Sequence, residues 1–366
     1  MFKVELPEKL GVPTDIVTLG EENIFLVATS RGFVLKYKEN GAAFVATGKW
    51  RPFKKSIRKL AIADDLILAA STTGNIAVID GTADAEDGFQ VLECDEEFGC
   101  ISALVCGGSK DVYVGNDDGD VFVCTLVEKT TISISKMYDH HDDYISSLQV
   151  VSAKKTLIVG SGDGTMSVID LKKEKMLAVS KNFEEDVTAV LTLGVSGKVL
   201  LGTALGALKL FKWNYWGAPC DTLKSKLHSY SSINDAIMLN EELKMIATAG
   251  GDGKLRILRA TPLSIGIEVL DAQDSLERLA WIKSGDEDGF ILAISADDPS
   301  VHVVRVTSSL LEEAATSDGA CKGESGSDSD SDSTDESDSD EEQPKAKKQK
   351  TAKRKPTASG FFKDLD

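Results

Sequence analysis

Six stretches of this chain repeat one pattern: an apolar run, a short polar turn closing on Gly, and a second run that alternates apolar and polar residues. They read L-V-A-T-S-R-G-F-V-L-K-Y, L-A-A-S-T-T-G-N-I-A-V-I, Y-V-G-N-D-D-G-D-V-F-V-C, I-V-G-S-G-D-G-T-M-S-V-I, L-L-G-T-A-L-G-A-L-K-L-F and I-A-T-A-G-G-D-G-K-L-R-I. The turn glycines are Gly32, Gly74, Gly119, Gly164, Gly206 and Gly253, spaced by 42, 45, 45, 42 and 47 residues. A seventh copy, L-A-I-S-A-D-D-P-S-V-H-V-V-R-V, follows with Pro299 near the glycine position. A unit this short cannot bury its own apolar face, so successive copies must stack on one another.

Alternation at period two marks half-buried strands, and the glycine between two of them supplies the positive φ that a tight strand-to-strand turn needs. Helical periodicity is nearly absent from residues 1–310. Seven paired-strand units in about 310 residues predict an all-β fold, a closed seven-bladed β-propeller. At the N-terminus Phe2, Val4 and Leu6 alternate with Lys3 and Glu5 ahead of the first full repeat. This strand is expected to supply the outer strand of the last blade, closing the ring and removing an exposed edge.

The spacing, the V-I-D endings at Asp80 and Asp170, and the D-G turns at 118–119, 163–164 and 252–253 resemble the WD-repeat family over the whole folded region. The Trp-Asp pair itself is absent: Ile79, Ile169 and Phe211 stand where the Trp belongs. The G-H opening is also missing, with His140-His141 and His228 as its nearest relics. The His/Ser/Asp/Trp network of well-formed repeats is therefore not expected in most blades, which must rely on strand pairing and apolar packing.

With 41 Lys plus Arg against 59 Asp plus Glu, the chain carries −18, which disfavours broad binding to nucleic acid or anionic membranes. Six cysteines without a C-x-x-C pair fit a reducing compartment. The charged opening M-F-K-V-E-L-P-E-K-L lacks a signal peptide's apolar run, and the most apolar stretch, 191–211, is broken by Lys198 and Lys209. An intracellular protein without membrane spans is expected. The four histidines lie apart except for His140 and His141, so no metal site is predicted. No G-x-S-x-G elbow, phosphate-binding G-x-x-x-x-G-K or strand-to-helix G-x-G-x-x-G occurs, so neither catalytic residues nor a cofactor or small-molecule substrate is expected.

Composition changes near Ser317. The segment 311–342 is expected to be a disordered, acidic Ser/Asp-rich tract, and 343–366 a basic tail ending in F-F-K-D-L-D. In the acidic tract Ser325, Ser327, Ser329, Ser333, Ser337 and Ser339 each have Asp or Glu three residues on, the pattern favoured by acidophilic kinases. The run reads either as a competitor for basic ribosomal or histone-like partners or as a solubilising spacer. Lys345, Lys347, Lys348, Lys350, Lys353, Arg354 and Lys355 form two basic clusters read as a nuclear-import signal, with RNA contact as the second reading. Candidate partner-binding residues are Trp213, Tyr215 and Trp216 in F-K-W-N-Y-W-G, together with Phe361, Phe362 and Leu365 at the end of the chain. The first three form either an aromatic hot spot or a plug between blades.

F-K-W-N-Y-W-G in the fifth repeat, the acidic and basic tracts, and the terminal S-G-F-F-K-D-L together resemble the WD repeat-containing protein 55 family. That resemblance implies a nucleolar or nuclear scaffold needed for ribosomal RNA processing and large-subunit production. It implies pre-ribosomal assembly factors as partners, no catalytic residues, and a monomer within a larger complex. Two other classes stay open: a substrate receptor of a cullin-type ubiquitin ligase, although the W-D-x-R step is incomplete here, and a histone-binding chromatin scaffold.

Overall fold

The computed structural model describes residues 1–316 apart from 21–22, 42, 82–87, 95–96, 195–196, 224–230, 265 and 285–287. Each pair of alternating runs folds back through its turn, and the described strands assemble into seven antiparallel meanders. The innermost strands are Pro13–Leu19, Ile57–Ala63, Ile101–Cys106, Ile145–Val151, Val187–Leu193, Ile233–Asn240 and Leu276–Lys283. Each touches the inner strands on either side, and the seventh meets the first, so the sheets close into a seven-bladed β-propeller. The third blade gains a short fifth strand, Glu93–Cys94, parallel to Thr131–Tyr138.

The core is divided among the blade boundaries. Seven clusters of buried apolar side chains lie one at each interface between neighbouring blades. This is the physical expression of the repeat: each sheet has two apolar faces and buries them against its two neighbours. Ile79, Ile169 and Phe211, in the place of the missing Trp, are fully buried in three of these wedges.

The N-terminal strand Phe2–Glu5 pairs antiparallel with Ser300–Val306, Phe2 opposite Val303 and Glu5 opposite Ser300, so the last blade takes its outer strand from the start of the chain. The expected propeller limit at residue 310 falls inside a helix, Ser308–Thr316. Leu311 and Ala314, one helical turn apart, are buried against the apolar wedge between the sixth and seventh blades. Residues 311–316 thus belong to the folded unit rather than to the acidic tract, because this short helix finds a groove that only the assembled ring provides. The rest of 311–342 and all of 343–366 lie outside the described residues.

The turn glycines have φ of 80° (Gly32), 81° (Gly74), 90° (Gly119), 78° (Gly164), 80° (Gly206) and 77° (Gly253). Space as well as φ demands glycine: a Cβ on Gly32 would strike the carbonyl oxygen of Phe53, and one on Gly119 that of His141. Each of these two turns rests on the backbone of the loop leading into the next blade.

A His/Ser/Asp network of the WD-repeat kind forms at the fourth blade. His141 Nδ1 lies 2.9 Å from Asp163 and His141 Nε2 lies 2.9 Å from the Ser167 hydroxyl. His140 Nε2 also reaches Ser167, at 2.8 Å. Burial holds the His140 pKa down at about 4, helped by the neighbouring His141, and burial lowers His141 against the pull of Asp163. Both rings are neutral in the fold at neutral pH. Between pH 6.5 and 4 the unfolded chain takes up protons that the folded one refuses, so stability falls as pH drops through that window. Lowering the pH from 7 to 5 is expected to cost about 1 kcal/mol through His140, after allowance for its partial exposure. Thermal melts of the native chain and of His140→Asn over this range check it: the variant should show the shallower decline, and equal slopes would refute the assignment.

Candidate partner-binding site at the channel mouth

All seven inner strands share one irregularity at the same place. In each, the first residue pairs with the adjoining strand, the second is skipped, and pairing resumes at the third. The skipped residues are Thr14, Arg58, Ser102, Ser146, Thr188, Asn234 and Glu277. A β-bulge adds one residue to a strand and re-aims its side chain. The preceding residue, such as Ile57, Ile101, Ile145 or Ile233, stays fully buried between blades. The extra polar residue lines a central cavity of about 410 Å3 bounded by all seven blades. The bulges thus arrange polar side chains around the mouth of the channel.

Several members of this ring join neighbouring blades. The Thr14 hydroxyl donates to the Ile57 carbonyl at 2.6 Å and the Thr188 hydroxyl to that of Ile233 at 2.6 Å. Asn234 Nδ2 donates to the Leu276 carbonyl at 2.9 Å. Arg58 Nη1 reaches across to both carboxylate oxygens of Asp117 at 2.8 Å. Among the described residues the hydroxyl oxygens of Ser102 and Ser146, on the third and fourth blades, are buried with no hydrogen-bond partner.

Charge concentrates one residue beyond the bulges. Arg278 Nε donates to Asp15 Oδ1 at 3.2 Å and its Nη1 lies 3.8 Å from Asp235 Oδ1. The other carboxylate oxygens accept backbone N–H groups of the next blade, Asp15 from Leu60 at 2.6 Å and Asp235 from Leu279 at 2.9 Å. Arg278 therefore ties the sixth, seventh and first blades together from inside the channel. Burial keeps the Asp235 pKa above its ordinary value despite the adjacent Arg278. Lys59, on the same tier, makes no ion pair among the described residues. Burial, and after it the charge of Arg278, lower its pKa to about 8, opposed by Asp15 and Asp235.

The aromatic residues singled out in the sequence lie elsewhere. In each meander the strand-to-strand turns alternate between the two faces of the disc, and the turn after Leu208–Lys212 falls on the face opposite the mouth. There Trp216 is buried in the wedge between the fourth and fifth blades, and Trp213 packs edge-on against it with ring centroids 5.0 Å apart. Lys154 Nζ stands 3.6 Å above the Trp213 ring. Tyr215 is 72% exposed. The motif is split between a plug and a single projecting ring. Phe361, Phe362 and Leu365, the seven basic residues of 345–355, the six candidate phosphorylation serines between 325 and 339, and His228 all lie outside the described residues.

The sequence reading did not identify the bulge ring. Its signal is an apolar residue followed by a polar one at the head of each inner strand, 42 to 46 residues apart: P-T-D, I-R-K, I-S-A, I-S-S, V-T-A, I-N-D and L-E-R. In one dimension these steps look like the ordinary start of an alternating strand.

Among the described residues no three His, Cys, Asp or Glu side chains gather as metal ligands, and no helix is long and apolar enough to cross a membrane. No protein-family model matches the chain. Its sequence is similar to the WD repeat-containing protein 55 homolog of Aedes aegypti, 24% identical over 279 residues, covering 73% of this chain. The chain spans little more than half, 57%, of the curated relative it matches. Repeat spacing, seven closed blades and this similarity agree: the chain is a seven-bladed β-propeller of the WD-repeat type.

Proposed function

We propose that the protein is a non-catalytic scaffold of the nucleus, and within it of the nucleolus, holding proteins that act in ribosomal RNA processing and large-subunit production. The observation that carries the scaffold reading is the channel mouth, a polar cavity with contributions from every blade. A disc with such a mouth suits the binding of a protein segment. The nucleolar part rests on the resemblance to the WD repeat-containing protein 55 family and on the basic clusters at 345–355. Those clusters are proposed to carry nuclear import and to make whatever contact with RNA the protein has, while Ser325, Ser327, Ser329, Ser333, Ser337 and Ser339 are proposed phosphorylation sites.

Affinity purification of the tagged full chain from nuclear extract, with and without ribonuclease, tests this reading. Large-subunit assembly factors and precursor ribosomal RNA are the expected companions, with the proteins retained after ribonuclease. Recovery of a cullin and its adaptor, without pre-ribosomal material, would instead make the protein a ubiquitin-ligase substrate receptor.

A further inference from the structure

One sector of the mouth differs in charge from the rest of this acidic protein. Lys9, Arg31, Arg51, Lys54 and Lys55 are exposed on the loops of the first and second blades. These loops lie together: Arg31 Nη1 donates to the Lys9 carbonyl at 3.1 Å, and the turn at Gly32 rests on the backbone of Phe53 and Lys55. Among the described residues none of the five cations is paired with a carboxylate. The loop carrying Lys54 and Lys55 runs directly into the inner strand that bears Arg58 and Lys59. The cationic sector therefore continues into the cavity and ends at Lys59, whose charge Asp15 and Asp235 offset only in part, with Ser102 on the adjoining inner strand. Ser102 is 4% exposed.

Lys59 shares the carboxylates of Asp15 and Asp235 with Arg278, so its burial is only partly offset. An anion entering the cavity adds to that offset. We propose that the channel mouth binds a carboxylate or phosphate group carried on an acidic segment of a partner protein, which crosses the exposed cations of the first and second blades and places its anion beside Lys59. This rests on the scaffold reading and assigns its partner a chemistry. The chain's overall −18 does not oppose it, because charges more than about 8 Å away are largely screened at physiological salt. The remainder of the mouth favours a short protein segment over a nucleic acid strand: exposed Asp118, Asp142, Asp143, Glu184 and Asp297 repel a long polyanion laid around the ring.

The test is fluorescence anisotropy with the full chain and three labelled peptides of one length: Glu-rich, phosphoserine-containing, and a neutral Gln/Ser counterpart. At least one anionic peptide should bind at least about tenfold more tightly than the neutral one, and which anion wins identifies the group. Lys59→Met, which fills the site with an apolar chain of similar size, should weaken that binding about tenfold without lowering the melting temperature. Lys54→Glu with Lys55→Glu, both exposed and unable to unfold the protein, should weaken it and flatten its salt dependence. Equal binding of neutral and anionic peptides, or wild-type affinity in the Lys59→Met and Lys54→Glu/Lys55→Glu proteins, overturns the inference, as does displacement of the peptide by a single-stranded RNA that binds more tightly. Failure of the underlying reading looks different: a native chain that co-purifies with no protein overturns the scaffold. Companions retained equally by the native and Lys54→Glu/Lys55→Glu chains, with no acidic-peptide binding, overturn only the anion site.

Discussion

Removing residues 1–8 is expected to lower the melting temperature by about 10 °C, the largest effect of any small truncation outside the inner strands. Val4 and Leu6 are buried in the wedge between the seventh and first blades, beside Phe25, Phe44 and Val301. Burying two such side chains contributes about 3–6 kcal/mol. The backbone adds the pairing with Ser300–Val306 and the bond from Leu6 N–H to the Pro299 carbonyl at 2.9 Å. Lys3 also holds Asp298 at 2.6 Å. Without the strand, the seventh blade presents Val301 and Val303 along an open edge, a template for pairing with another chain. The truncated protein should therefore aggregate on heating as well as melt early. Differential scanning calorimetry of the two chains measures it; a melt within about 2 °C of the intact protein would mean that the ring closes by other contacts.

Arg278→Ala should cost about 3–5 kcal/mol, more than any exposed charge in the molecule. The guanidinium is only 22% exposed and lies between the carboxylates of Asp15 and Asp235, whose side chains are 5% and 19% exposed. Its loss leaves two desolvated anions on the channel wall, each still fixed by a backbone N–H of the next blade and unable to turn to water. With Lys59 as the cation that remains beside them, the two carboxylates are less well neutralised, and the variant should become more stable relative to wild type as pH falls and the carboxyls protonate. Adding Asp15→Asn and Asp235→Asn removes the stranded charges and should recover part of the loss. Urea unfolding of the three proteins at pH 7 decides the matter; a single-variant cost below about 1 kcal/mol would show that the triad holds nothing together.

Much of the architecture is readable because it is local and periodic. The glycine spacing announces seven units, the alternation announces strands, and the Phe2-Val4-Leu6 step announces an edge in need of a partner. The aromatic motif at 211–217 was readable as important but not in kind. Trp213, Tyr215 and Trp216 are similar letters, and only the packing of the fourth blade against the fifth buries Trp216 while leaving Tyr215 out. The helix Ser308–Thr316 is hidden for a related reason. With one buried pair, Leu311 and Ala314, a helix of nine residues is too short to hold itself in water and exists by docking.

The channel mouth lies furthest from what the sequence can express. Whether Ser102 is a bulge depends on the register between two strands, with Ile101 opposite Asn116 and Ala103 opposite Gly115. Lys59 in an alternating strand reads as a solvent-facing residue, yet the inner strand of a ring has no solvent side of the usual kind: the channel encloses it. Sequence alone determined the number of blades, the turns between their strands and the means of closing them, since each depends on residues near one another or on a fixed period. Tertiary structure alone decided which polar side chains meet on the axis and which of them are left without partners. Those relations join residues 42 or more positions apart, through strand register and desolvation that exist only once the ring is closed.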